Sequence, residues 1–212
     1  MIANNPALRK AILIGTPLLL VILQLRHPSD VSYVHLEPMV DWWLLLHIVQ
    51  LPLFGLLAFA IYLLIDGIDQ VFATISRMAL GVFVVFYTAF DAVLGIAGGI
   101  LVRHAAQLQD EAQQVVETAY ITLFVQGNAL LGDVAVYSWF AAGLSAAIAL
   151  YVKGKNQIGV IFLVLGTLLY YSHVFPYGPL AMGCLLIAVI CFEFFPHLAS
   201  GAGSSADEQT HS

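Results

Sequence analysis

Charge is what this chain has least of. Asp, Glu, Lys and Arg together make up 9% of its 212 residues, against about 25% in an ordinary soluble domain. That is too little polar side chain to coat a globule in water, so a soluble fold is excluded. Lysine occurs only at positions 10, 153 and 155. All three flank apolar stretches, which excludes a mid-membrane retinal Schiff base. No span carries a series of arginines, so a voltage sensor is excluded as well. No Lys/Arg cluster offers an electrostatic footprint for nucleic acid. The two cysteines, Cys184 and Cys191, fall on one apolar stretch. A helix separates them by about 10 Å along its axis, beyond the ~7 Å that a disulfide tolerates between Cα atoms. The chain also lacks H-E-x-x-H, G-x-S-x-G and a P-loop, so no metalloprotease, hydrolase-elbow or nucleotide motif sets its chemistry.

What is present is apolar residue in long runs, 61% of the chain. The expected fold is all-α: a polytopic membrane protein, a six-transmembrane-helix bundle. The spans expected are Ala11 to Leu25, Trp42 to Ile65, Ile75 to Val102, Gly132 to Val152, Gln157 to Val174, and Pro179 to Phe195. The first, AILIGTPLLLVILQL, is followed by RHPSD rather than a small-residue cleavage site, so it reads as a retained span and not a signal peptide. Residues 1–198 form one transmembrane domain, and 199–212, ending GAGSSADEQTHS, form a polar tail expected to be disordered. With the N-terminus inside, Arg9, Lys10, Arg77, Lys153 and Lys155 fall on the inner side, and Arg26 and Arg103 outside. This gives both termini to the cytoplasm, and the expected location is a bacterial inner (plasma) membrane. Trp42 and Trp43 then serve as an aromatic anchor at the outer interface.

Between spans three and four, Leu108, Ala112, Val115, Val116, Ala119 and Leu123 recur at helical spacing. They predict an outer interfacial amphipathic helix. A sharper version makes the 104–131 segment a lid hinged at Gly127 and Gly132.

Few polar groups lie inside the spans, so each needs a reason. Asp91 stands in VVFYTAFDAVLGIAGGIL. A charged Asp at that depth costs at least ~2.5–3.5 kcal/mol, so the expectation is protonation, a partner or a wet cavity. Tyr87, Asp91, Gly95 and Gly99 repeat every four residues. That is a small-xxx-small packing face, and the Gly95/Gly99 face is expected to meet another helix, a membrane-protein partner or a second copy. In span two, His47 and Gln50 share a face, and Pro52 removes a helix hydrogen bond beside them. Asp133 opens span four in the position of a cap or dipole partner. His173 ends span five among tyrosines.

Six histidines precede the tail, and they divide five outside (27, 35, 47, 104, 173) to one inside (197). Any site therefore opens outward. The expected pocket has His47, Gln50, Tyr87 and Asp91 as its inner wall, with Asp133 and His173 nearer the mouth. Its function is the binding of a small ligand, ion or proton. One alternative is a metal- or haem-binding protein, including a metal-dependent hydrolase. There His47, His173, Asp91 and Asp133 are the metal ligands, and His47 with His173 the axial pair of a haem. The other alternative is an assembly subunit with no site of its own. The sequence specifies no cofactor, and its one assured partner is the lipid bilayer.

Overall fold

The computed structural model describes residues 5–195. His197 and the polar tail expected at 199–212 lie outside that range. The described residues form helices and no strand. Five helices are long and apolar enough to cross a membrane: α1 (Pro6–Gln24), α2 (Tyr33–Leu64), α3 (Val71–Ala105), α4 (Asp110–Val152) and α6 (Tyr177–Phe194). Between the last two lies a shorter apolar helix, α5 (Gln157–Leu169).

Local chemistry sets the helix ends. The Asn5 side chain accepts from the Leu8 N–H, and Pro6 fills the first turn, where its missing N–H costs nothing. Arg77 donates to the carbonyls of Ile65 and Ile68, each at 3.0 Å, and so satisfies the orphan acceptors after α2. Gly67 and Gly154 turn the chain with φ of 71° and 68°, a region costly for any residue with a Cβ. The Asn156 side chain accepts from Gly159 to start α5 and donates to the Phe195 carbonyl, tying α5 to the end of α6. Pro52 does not break α2; the helix runs on through it.

The six helices close a ring. Each packs on its neighbour in sequence, and α6 returns to pack on α1, where Arg9 pairs with Glu193. The interior carries an aromatic column: Phe54 lies 4.2 Å from Tyr87, Phe83 5.0 Å from Trp139, and Trp139 5.4 Å from Tyr170, between ring centroids. Leu45, Ile48, Val85, Ile161 and Leu180 point outward and are exposed. That is the arrangement of a bundle whose solvent is hydrocarbon.

The ring is uneven in length. At 1.5 Å per residue, α3 and α4 extend about 50 and 65 Å, well past the ~30 Å hydrocarbon core. The segment expected to be amphipathic is helical over Asp110–Gly127. It continues through a π-helical stretch, Asn128–Gly132, directly into the fourth span. It therefore packs along the outer part of α3 as an extension of α4. The expected hinge glycines lie inside this unbroken helix as close-approach points. A Cβ on Gly127 would sit 2.8 Å from Leu94, and one on Gly132 2.9 Å from Phe90. In contrast, α5 has 13 residues, roughly 10 Å short of a full crossing. Residues 170–176 complete this stretch as irregular backbone, which a membrane tolerates where it lines a protein cavity.

Packing decides two further expectations. The Gly95/Gly99 face is filled from within the chain: a Cβ on Gly95 would strike the His47 ring, and one on Gly99 would lie 2.7 Å from Leu44 and 2.8 Å from Trp43. The face thus meets another helix, α2 of the same chain, which is the first of the expected partners. Trp43 is not an interfacial anchor either. It is 2% exposed, and its indole donates to the Gly95 carbonyl at 2.6 Å. Trp42 is half-buried and donates to the Arg26 carbonyl at 2.9 Å.

Candidate functional site

Three imidazoles meet at the end of the ring where α1 finishes. His27 comes from the connection after α1, His47 from α2, and His173 from the irregular segment after α5. One nitrogen from each lies within 4.8 Å of the others, and this is the one such group of three metal-ligating side chains among the described residues. The rings pack edge to face, His27 on His173 at 4.8 Å and His27 on His47 at 5.5 Å between centroids. His27 and His47 are buried, at 3% and 2% exposure.

Backbone carbonyls fix which nitrogen is free. His47 Nδ1 lies 2.8 Å from the Trp43 carbonyl, one turn back on α2, and His27 Nδ1 lies 2.9 Å from the Pro28 carbonyl. A carbonyl only accepts, so each Nδ1 carries the proton and donates. Each Nε2 is left with a bare lone pair. A hydrogen bond of this kind from the far ring nitrogen is what orients histidines bound to metals. The His27 Nε2 is buried and has no partner. A cavity of about 30 Å³ lies at the three rings and is walled also by Trp43, Gly95 and Phe90. It is larger than one water needs and far too small for a porphyrin, so the expected haem, with His47 and His173 as axial pair, does not fit. A tetrahedral ion holds its nitrogens about 3.4 Å apart. From a spacing of 4.8 Å, each of the three nitrogens would move inward by about 0.8 Å to meet an ion.

Asp91 sits beside this group, fully buried, at the start of a π-helical stretch, Asp91–Ala97. Such π segments recur at functional sites. Its Oδ1 accepts from Gln50 Nε2 at 3.0 Å and lies 3.8 Å from His47 Nε2. Its Oδ2 and the Gln50 Oε1 are buried without a partner, and the buried hydroxyls of Tyr87 and Tyr170 have at most each other. Buried polar atoms are costly to leave unpaired, so this patch is the least satisfied polar cluster of the interior.

A second cavity of about 240 Å³ adjoins the first and shares Phe90, Phe124 and His173 with it. Tyr87 and Tyr170 line its inner part, and Ala135 and Val136 of α4 line its side.

The structure thus brings together His47, Gln50, Tyr87, Asp91 and His173, as the sequence reading grouped them. It does not bring in Asp133. That residue lies within the continuous helix α4, makes no capping hydrogen bond, is exposed, and lines neither cavity. Sequence reasoning missed two members, His27 and Trp43. The signal for His27 was its place in RHPSD, directly after span one, within the outward excess of histidine.

Burial drives the His27 imidazole down to about 4 from its usual 6.5, against a smaller upward pull from the Pro28 carbonyl. Between those values the unfolded chain holds a proton on this ring that the folded chain refuses. Stability therefore rises with pH through that window and is lost on acidification, by about 3 kcal/mol from this ring alone. The expected result for metal-free protein in detergent is a melting temperature that falls from pH 7 to pH 4.5, with a shallower fall in His27→Phe. Identical profiles for the two proteins would contradict the burial assigned to His27.

No family model matches the chain, and no curated protein or solved structure matches it either.

Proposed function

We propose that this is a membrane metal-binding protein, holding one first-row transition ion on His27, His47 and His173 at the outer side of the helix ring. The observation that carries the reading is the convergence of three imidazoles, two of them with Nδ1 committed to a carbonyl and Nε2 free. Neutral nitrogen ligands suit zinc, copper, iron or nickel; calcium and magnesium take oxygen shells instead. Three protein ligands leave one coordination position open, as in catalytic rather than structural zinc sites. The Asp91 carboxyl lies close enough to supply negative charge to a dication held there, which this low-dielectric setting requires. The collection of Arg9, Lys10, Arg77, Lys153 and Lys155 on one side supports a cytoplasmic N-terminus. On that orientation the metal faces the exterior of a bacterial plasma membrane.

Elemental analysis of the purified protein is the test. The expected result is about one zinc, copper or iron per chain in wild type and a clear deficit in His47→Ala. Metal-free wild type that also fails to take up added zinc or copper overturns the reading. Asp91→Asn keeps the shape and an acceptor for Gln50 but removes the charge. It is expected to fold and to bind a divalent ion about tenfold more weakly, measured by competition with a chromophoric chelator. Unchanged affinity would remove Asp91 from the site's electrostatics.

A further inference from the structure

The 240 Å³ cavity beside the histidines has no role in holding an ion. Its features point to an occupant. It is not a separate hollow: Phe90, Phe124 and His173 are walls of both cavities, so a molecule seated there lies against one of the imidazoles that would bind the metal. None of its lining residues is Asp, Glu, Lys or Arg, which selects against a charged guest. Phe90, Phe124, Ala135 and Val136 give it an apolar body. At its inner end the hydroxyls of Tyr87 and Tyr170 face each other, on side chains 3% and 1% exposed, and neither has a partner elsewhere among the described residues. Two facing phenols share at most one hydrogen bond, so one O–H is left to donate into the chamber, a ligand-facing feature independent of the metal group.

We propose that this chamber binds a small, uncharged, largely apolar molecule carrying a nitrogen or oxygen lone pair, which reaches the metal's open coordination position past His173. The proposal rests on the metal reading above. It deepens it by making the centre one that receives an external ligand, as opposed to a closed site completed by Asp91. The chamber's volume admits a molecule of one or two rings. The phenols hold a second acceptor on it or a water beside it.

The test uses full-length protein in detergent, loaded with cobalt(II) and titrated at pH 8 with imidazole or with 4-phenylimidazole. Both probes present the same donor nitrogen, and only the second has a body that fills the chamber. The cobalt absorption bands report each step. The expected result is that 4-phenylimidazole shifts the bands at a concentration at least tenfold lower than imidazole. Val136→Phe, which fills the chamber from its side, is expected to abolish that preference while cobalt loading and imidazole binding stay unchanged. Ala135→Leu is a second filling variant, for use if Val136→Phe does not fold. A cobalt spectrum that responds to neither probe means that Asp91 or another group closes the site, and it overturns the chamber proposal while leaving the metal reading standing. Equal response to both probes, or a preference that survives both filling variants, overturns it too. No cobalt spectrum at all removes the metal reading and the proposal with it.

Discussion

Replacing His27 with alanine is expected to weaken zinc or cobalt binding by at least about 100-fold, some 2.7 kcal/mol, with the helical fold intact. The size follows from ligand count. Three imidazoles hold the ion in the proposed centre, and losing one leaves a two-ligand site. Even outer-shell changes at metal sites cost 10–100-fold, so a direct ligand costs more. The fold tolerates the change because the ring it removes carries a buried Nε2 that has no partner within the chain. The local connection keeps its other ties: the Trp42 indole on the Arg26 carbonyl and the Tyr120 hydroxyl on the Val31 carbonyl at 2.6 Å. His35 and His104 are exposed, and His35 lies against Asp30 at 2.8 Å. Alanine at either position is expected to leave affinity unchanged. Competition titration in detergent reads all three variants. If His27→Ala binds as tightly as wild type, or if the three variants weaken binding alike, the ion is not held at this group.

The contrast between His27 and Asp133 shows what was legible in the sequence. Span positions follow from hydrocarbon thickness, which acts on composition alone, and the helices lie where the apolar runs put them. The grouping of His47, Gln50 and Asp91 also follows, because polar residues inside a span must face protein and a bundle has little interior. Helical spacing places His47 and Gln50 on one side of α2, and the small residues after Asp91 mark the side of α3 that meets it. His27 obeys no such rule. It lies in a connection, and only the path of residues 25–32 over the top of the ring, held by Tyr120 from α4, carries it inward. Asp133 fails for a local reason. Its expected role as a cap required a helix to begin there, but the π-helical stretch Asn128–Gly132 carries the helix through. Nothing in NALLG distinguishes a π-turn from an α-turn. The short α5 is similar: its apolar run predicts a full span, yet the helix ends at Leu169 and leaves His173 on irregular backbone at the cavity.

Gly95→Ala is expected to damage stability and metal binding together, because one atom joins packing to chemistry there. A Cβ on Gly95 would lie 2.5 Å from Cγ of His47 and closer still to Cδ2. The ring has little room to yield. Its Nδ1 is held by the Trp43 carbonyl at 2.8 Å, and the Trp43 ring lies 4.0 Å away, centroid to centroid. The Trp43 indole is in turn fixed to the Gly95 carbonyl at 2.6 Å. Overpacking at such a point costs about 1–3 kcal/mol or more, so the melting temperature falls by several degrees. Relief comes by rotating His47 out of the group, which takes its Nε2 away from the ion. Two other glycines separate this from ordinary crowding. Gly99→Ala meets Leu44 and Trp43 first and reaches His47 only through the Trp43 ring; it should lower the melting temperature and lose less metal than Gly95→Ala. Gly81 has open space around its would-be Cβ, so Gly81→Ala is expected to be neutral or slightly stabilising through helix propensity. A Gly95→Ala protein that melts like wild type and loads metal fully would mean that α2 and α3 do not approach as closely as this site requires.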